Sequence, residues 1–164
     1  MVKKSDFFSE ERNLPKMSIQ KWILLVFYDK DEVRSLDTLS IMYESFIFVK
    51  EFLCSMESEF GFKSSGYGPC SDIVDNAIKQ LISTNMLDMK KNEASALDGY
   101  SYVLTETGAK KAEQTFLQLS ELLKKKVTFM NSITSKMGLT GMLQYIHSIY
   151  PEYVYLHERR ENIE

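Results

Sequence analysis

The chain contains 164 residues, of which 44% are hydrophobic and 26% charged, and its formal net charge is −3. This balance is typical of one folded domain, or of one domain with an appendage, and excludes a disordered chain. The acidic balance also disfavours a strongly basic nucleic-acid-binding protein, although a dimer can still concentrate positive charge on one face.

The sequence offers no segment that would place the chain in a membrane. The longest apolar run, Trp22–Tyr28, is much shorter than the roughly 20 residues that span a bilayer. No apolar stretch directly follows Lys3 and Lys4, as it would in a signal peptide. We therefore expect a soluble, cytoplasmic protein with no membrane partner.

No pattern typical of an enzyme active site or a metal centre occurs. Cys54 and Cys70 do not form a CxxC pair, and His147 and His157 have no carboxylate at metal-ligand spacing. The Gly66–Gly68 stretch lacks the lysine and hydroxyl residue of a phosphate-binding loop and indicates a tight turn instead. We predict a non-enzyme without cofactor or metal and with reduced cysteines. A disulfide, or a redox role for Cys70 near a helix start, stays open.

Helical periodicity predicts two helices in the first third of the chain. The first lies between Met17 and Tyr28, and the second starts near Asp37 or Thr38. The second helix has an apolar face over about four turns. That face comprises Leu39, Met42, Tyr43, Phe46, Val49 and Leu53. Core packing explains its aromatic content better than a small-molecule pocket does.

A turn at Gly66–Ser71 precedes a third predicted helix. Ser71 suits the N-cap of this helix, and Asp72 suits the positive end of its dipole. Its apolar face comprises Ile73, Val74, Ala77, Ile78, Leu81 and Ile82. Its polar face comprises Asp72, Asp75, Asn76, Lys79, Gln80 and Ser83.

A β-hairpin and two further helices complete the chain. Met86–Lys90 and Tyr100–Leu104 read as strands around a polar loop that ends in Asp98-Gly99. Thr105 caps a long helix that the lysines at 124–126 close, and a short last helix stops at Pro151. The long helix bears an apolar stripe of Ala109, Ala112, Phe116, Leu119 and Leu123.

This order of elements predicts a mainly α fold with a small β-hairpin, in the class α+β. Three helices followed by a hairpin are the layout of a winged helix-turn-helix, here with additional C-terminal helices. The predicted domains are a flexible N-terminal segment at 1–15, a winged-helix domain at 16–108 and a C-terminal helical extension at 109–164.

The pattern resembles a family of winged-helix proteins. The residues concerned are Phe60, Phe62, Tyr67-Gly68-Pro69-Cys70-Ser71, Leu81, Ile82, Met86, Leu87, Tyr102, Leu104-Thr105 and Gly108. They are similar to archaeal winged-helix proteins and to bacterial Panacea-domain antitoxin-associated proteins, whose hallmark is an aromatic-Gly-Pro-x-Ser turn. The resemblance covers about residues 36–110, and Tyr150–Tyr153 also resembles C-terminal segments of the archaeal proteins. It implies a helix that opens at the turn and leads into a wing hairpin.

The sequence favours a winged-helix DNA-binding protein, a transcriptional regulator, as the function. The predicted contacts to base edges or phosphates come from Asn76, Lys79, Gln80 and Ser83 on the third helix, and contacts to the DNA backbone from Lys90, Lys91 and Asn92 on the hairpin. The alternative is a protein-interaction module, antitoxin-like, on the same fold without DNA binding. The acidic balance favours this alternative.

A homodimer is also predicted, through the apolar stripe of the long C-terminal helix. Three helices and a short hairpin leave part of that stripe uncovered, and Ala109 and Ala112 would let two helices approach closely. The alternative is that the stripe packs on the first helix of the same chain.

Overall fold

The computed structural model describes residues 14–95 and 97–154. Within them the helices are α1 (Ile19–Phe27), α2 (Thr38–Phe52), α3 (Glu57–Phe60), α4 (Asp72–Ser83), α5 (Glu106–Leu117) and α6 (Glu121–Ile149). Strand β1 (Lys63–Ser65) pairs with β2 (Gly68–Cys70), and β3 (Leu87–Lys91) pairs with β4 (Tyr100–Leu104), both antiparallel. Short 3-10 turns occupy Cys54–Met56 and Pro151–Tyr153. The predicted mainly helical fold with a small hairpin is confirmed.

Most of the predicted flexible segment at 1–15 and the charged end from His157 onward lie outside the described residues. The first described element is α1, which Ser18 caps by accepting a hydrogen bond from the Lys21 amide. Every residue from Trp22 to Phe27 is buried. A helix that is apolar on all sides must be covered on all sides, and α1 contacts α2, α4, α5 and α6.

Helix α2 forms the second central element and lies along α6. Asp37 caps it by accepting a hydrogen bond from the Ser40 amide, and Ile41–Val49 are all buried. One hydrophobic core joins α1 and α2 to Val127 and Met142 of α6. The predicted C-terminal extension therefore shares its core with the preceding helices.

The larger hairpin is attached to the helical body along β4. Leu36, between α1 and α2, exchanges both backbone hydrogen bonds with Tyr102, at N···O distances of 3.0 and 2.8 Å. Strand β4 therefore lies between β3 on one side and the extended residue Leu36 on the other.

The Leu104-Thr105-x-x-Gly108 sequence joins the hairpin to α5. The Thr105 hydroxyl accepts a hydrogen bond from the Gly108 amide (2.9 Å) and donates one to the Asn85 carbonyl (2.6 Å). The Thr105 amide donates to the Met86 carbonyl. A Cβ atom on Gly108 would overlap that same carbonyl group. Glycine at this position therefore allows the first turn of α5 to lie against the base of β3.

The C-terminal half corrects the sequence prediction. The predicted long helix ends at Leu117, and Ser120 caps a new helix, α6, by accepting a hydrogen bond from the Leu123 amide (3.2 Å). The lysines at 124–126 do not close a helix, because lysine is a good helix former and Lys126 is buried with its ammonium over the Phe52 ring. Helix α6 then continues to Ile149, interrupted only by the non-helical backbone of Gly138.

A C-terminal clasp, made of Tyr145, Tyr150 and Tyr153 against Lys50 and Glu51, fastens the end of α6 to α2. The hydroxyls of Tyr145 and Tyr150 both donate to Glu51 Oε1, at 2.6 and 2.9 Å. The Lys50 ammonium lies 4.9 Å from the centre of the Tyr153 ring. The final helical turns are thus held by phenol–carboxylate hydrogen bonds and a cation–π contact.

The clasp predicts a loss of stability at high pH. Burial, followed by the hydrogen bond and charge of Glu51, raises the pKa of Tyr145 from 10.0 to about 12, and the same causes raise the pKa of Tyr150. The folded state holds these protons more tightly than the unfolded chain. Stability that is fully present below pH 10 therefore decreases as pH rises towards about 12.

Glu51→Gln keeps an acceptor but removes the charge. We expect it to lower both tyrosine pKa values and to make the alkaline loss of stability smaller. Tyrosinate absorbance and the free energy of unfolding, measured across this pH range, check the expectation. Glu152→Gln, at an exposed position, is the matched control. Identical titrations of the wild type and Glu51→Gln would contradict it.

Candidate macromolecule-binding surface

Helix α4 is positioned by the cap that the sequence predicts. The Ser71 hydroxyl accepts a hydrogen bond from the Val74 amide (3.1 Å) and donates one to the Phe60 carbonyl, which anchors the helix start to α3. Asp72 and Asp75 lie in the first turn, where the helix dipole favours negative charge. The cap therefore fixes both the start and the direction of α4.

The turn before α4 belongs to the hairpin β1–β2 and packs against α2. Gly68 has φ +111°, which disfavours other residues, and a Cβ atom there would press against Tyr43 and Leu143 at 3.3 Å. The Tyr43 hydroxyl donates to the Tyr67 carbonyl. The Tyr67 side chain itself is exposed. The Tyr-Gly-Pro-x-Ser sequence thus docks the turn on α2 and presents one aromatic ring to solvent.

The outward face of α4 is the one that the sequence predicts. Its exposed polar residues are Asp72, Asn76, Lys79, Gln80 and Ser83, and Asp75 is half-buried. Its buried residues are Val74, Ala77, Ile78 and Leu81. Ile73 departs from the prediction, because it lies at the edge of the apolar face, 42% exposed. It packs there beside Gly61.

The charges on α4 are largely engaged with one another. Lys79 pairs with Asp75 at 3.0 Å, one turn before it, and Asp72 pairs with Lys63 of β1 at 2.9 Å. Two carboxylates and one ammonium leave α4 with one net negative charge. This helix therefore does not present the positive surplus that attracts a phosphate backbone.

Two of the predicted DNA-contacting side chains on α4 also have partners within the chain. Gln80 accepts a hydrogen bond from the Gln20 amide of α1. The Ser83 hydroxyl donates to the Gln80 carbonyl at 2.9 Å. For these side chains to bind a nucleic acid, their hydrogen bonds within the chain and the Lys79 ion pair would have to be replaced by bonds to the nucleic acid.

The hairpin β3–β4 carries the other predicted contacts. Lys90 and Lys91 are exposed, as expected. Asn92 is partly buried and has a structural role. Its backbone N–H donates to the Gly99 carbonyl (2.7 Å), and its side-chain oxygen accepts from the backbone N–H of Ala94 (3.1 Å). Residues 87–104 contain three carboxylates and two lysines, so this segment also has one net negative charge.

Asp98 ties the hairpin loop back to α2. Its carboxylate accepts hydrogen bonds from the Thr38 hydroxyl (2.9 Å), the Tyr100 amide (3.1 Å) and the Ser95 hydroxyl (3.2 Å). Burial alone would raise the pKa of Asp98, but these bonds and one from Tyr102 hold it below its usual value. The loop is therefore anchored as a charged, hydrogen-bonded turn.

Sequence reasoning missed three exposed apolar side chains on this hairpin. Met89 and Leu97 are each 51% exposed, and Tyr100 is 38% exposed. Met89 has the same side-chain orientation as Leu87, two residues earlier, which is buried. Alternation in the sequence predicts that Met89 and Leu87 lie on the same face of the strand. It does not reveal that Leu87 is in the core and Met89 is outside it. Exposed Met and Tyr side chains are typical of protein contact surfaces.

The apolar stripe predicted to form a dimer lies instead within the chain. Ala112, Leu119 and Leu123 are buried in the core, and the Phe116 ring stacks on Tyr28 of the segment that follows α1, with ring centres 4.4 Å apart. Only Ala109 of the five is exposed. Most of the stripe is therefore covered within the chain, where α1 contacts α5 and α6. The predicted interface residues stay a prediction. A homodimer as such stays a prediction.

Among residues 14–95 and 97–154, no group of three potential metal ligands occurs, and Cys54 and Cys70 form no disulfide. No helix of the described part is long and apolar enough to cross a membrane. The outward face of α4 and the hairpin β3–β4 carry the side chains that the sequence predicts to contact a partner.

Comparison with protein-family models and with curated proteins finds no match for this chain.

Proposed function

We propose that this chain is a protein-interaction module on a winged-helix architecture, with the hairpin β3–β4 as its contact surface. The observation that carries the proposal is that Met89, Leu97 and Tyr100 are exposed on a hairpin whose outer strand pairs with no other strand of the described residues. An apolar patch with a polar rim marks an interaction site more often than an exposed single residue does.

The winged-helix part of this proposal is supported by the order of elements. Helix α1, the bridging residue Leu36, α2, α4 and the hairpin follow one another as the helices and strands of a winged helix do. Helix α3 and the hairpin β1–β2 are an insertion between α2 and α4.

Electrostatics favour a protein over a nucleic acid as the partner. Both α4 and the hairpin segment have one net negative charge, and the whole chain has a net charge of −3. Non-specific DNA affinity comes mainly from lysine and arginine that neutralise phosphates. A protein surface with an apolar centre needs no such surplus.

Duplex DNA is the second candidate partner, with transcriptional regulation as the function. The observation that favours it is the exposed polar face of α4, with Asn76, Lys79, Gln80 and Ser83, followed in sequence by exposed Lys90 and Lys91. Amide and hydroxyl groups on a helix are suited to base edges, and lysines to phosphates.

Two variants separate the candidates. We expect Met89→Ser/Tyr100→Ser to lose a protein partner that the wild type retains from cell extract, by roughly fivefold or more. Asn76→Ala/Gln80→Ala is the matched control and should retain the same partner. Quantitative mass spectrometry of the captured proteins provides the readout, and thermal unfolding checks that both variants are folded.

Mobility shifts on random duplexes at low salt complete the experiment, and we expect no binding. A shift that Lys90→Glu/Lys91→Glu weakens equally on all sequences, with a flatter salt dependence, would establish the DNA candidate instead. Equal capture of the same proteins by the wild type and the hairpin variant would count against the interaction proposal.

A further inference from the structure

No other strand of residues 14–95 and 97–154 pairs with the outer edge of β3, which is centred on Met89. Met89 faces Tyr102 in the hairpin register, but Tyr102 exchanges both of its backbone bonds with Leu36 on the opposite side. In an antiparallel pair, facing residues either exchange both bonds or none. The N–H and C=O of Met89 therefore point away from β4.

The bonds at the two ends of the strand agree with this assignment. Met86 accepts from the Thr105 amide, and Asn92 donates to the Gly99 carbonyl, so the even-numbered positions bond towards β4. Asp88 and Lys90 consequently bond inward, whereas Met89 and Lys91 bond outward. Leu87 at the base is buried, so the accessible edge runs from Asp88 to Lys91, all exposed.

We propose that a second copy of this chain pairs with this edge, antiparallel and centred on Met89. This inference rests on the proposed function, in which the hairpin is a protein contact surface, and it names the partner. Met89 would exchange both backbone bonds with Met89 of the other copy. Asp88 would face Lys90 of the other copy, twice by the two-fold symmetry.

The charge pattern selects this register among those that the backbone permits. Two copies can form backbone hydrogen bonds only in registers where the outward-bonding residues of one strand lie opposite the outward-bonding residues of the other. Centring on Lys90 would place two lysines opposite each other, and centring on Asp88 would place two aspartates opposite each other. Only centring on Met89 pairs opposite charges on one face and two apolar side chains on the other, and cross-strand pairs of these kinds stabilise a sheet.

An open edge normally has to be protected from pairing, and lysines on it are one means of doing so. Here the face that bears Lys90 is complementary to itself, because Asp88 lies two residues before Lys90. The charges on this edge therefore favour pairing with a second copy over pairing with an unrelated strand.

A charge-exchange experiment tests the pairing. Asp88→Lys and Lys90→Asp each turn two attractive pairs into two repulsive ones, and we expect each to weaken wild-type self-association by roughly tenfold or more. An equimolar mixture of the two variants should associate again, because lysines at 88 and 90 then face aspartates. The double variant Asp88→Lys/Lys90→Asp should self-associate like the wild type.

Met89→Pro tests the backbone part of the proposal. Proline at this outward-bonding position removes the N–H that the second copy needs and leaves the β3–β4 bonds in place. It should lower self-association while the thermal unfolding of the monomer stays close to that of the wild type. Lys110→Asp on α5, also exposed, is the control for a charge reversal elsewhere on the surface.

Sedimentation velocity over a wide concentration range measures all of these samples. A wild type that stays monomeric at the highest concentration, or a mixture that does not restore association, would overturn the pairing. In that case, loss of a captured partner by Met89→Ser/Tyr100→Ser would still support the hairpin as a surface for a different protein. The failure of this inference is thereby distinguished from failure of the proposed function.

Discussion

Gly108→Ala is expected to destabilise the protein by about 3 kcal/mol, in line with overpacking at a rigid contact. The new Cβ atom would lie 2.8 Å from the carbonyl carbon of Met86 and closer still to its oxygen. That obstacle is backbone, and the Thr105 amide donates to the same carbonyl, so it cannot move aside as a side chain end could. The first turn of α5 and the base of β3 must therefore separate.

The direction of this effect is informative because alanine ordinarily stabilises a helix by up to about 1 kcal/mol relative to glycine. Thr107→Ala, in the same turn at an exposed position, is the control and should change stability little. Chemical denaturation followed by circular dichroism gives both values. A Gly108→Ala variant as stable as the wild type would show that the contact between α5 and Met86 does not exist in solution.

The second large effect is expected at the ion pair between Arg34 and Glu44. The guanidinium donates to both carboxylate oxygens at 2.9 Å and also to the Val26 carbonyl. Both side chains are buried, with 8% and 4% exposed. Burial raises the pKa of Glu44, while the hydrogen bond and charge of Arg34, and a bond from Thr134, oppose the rise.

Arg34→Met is expected to cost about 3–5 kcal/mol, because it leaves a buried carboxylate without its counter-charge. Arg34→Met/Glu44→Leu should recover most of that loss, because two apolar side chains of similar size have no charge to desolvate. Denaturant unfolding of Arg34→Met, Glu44→Leu and the double variant completes the mutant cycle.

Asp75→Asn is the comparison for an exposed pair. It breaks the ion pair with Lys79 on the surface of α4 and should cost no more than about 0.5 kcal/mol. If Arg34→Met costs as little as Asp75→Asn, the Arg34–Glu44 pair is not buried in solution as it is here.

Much of the fold could be predicted from local signals. The caps at Ser71 and Thr105, the turn at Tyr67–Ser71 and the two strands of the larger hairpin all depend on residues a few positions apart. Such interactions form between sequence neighbours, so their residue types reveal them. The strand β3 was predicted one residue early, at Met86 rather than Leu87.

The polar face of α4 was predicted for the same reason, because helical periodicity determines which side chains share a face. Whether that face contacts DNA stays a prediction. The engagement of Lys79 by Asp75 follows from their spacing of one helical turn. The bond between Gln20 and Gln80 does not, because it joins helices far apart in the chain.

Sequence alone determined that the residues from Ala109 to Leu123 form an apolar surface that something must cover. Only the tertiary structure decided that most of this surface is covered within the chain, where α1 contacts α5 and α6. Periodicity specifies which side chains avoid water, whereas the choice of their neighbours depends on how all the helices pack at once. The outer edge of β3 likewise could not be predicted from the sequence. The backbone N–H and C=O of Met89 point outward because Tyr102, which faces Met89, bonds to Leu36 on the other side of β4.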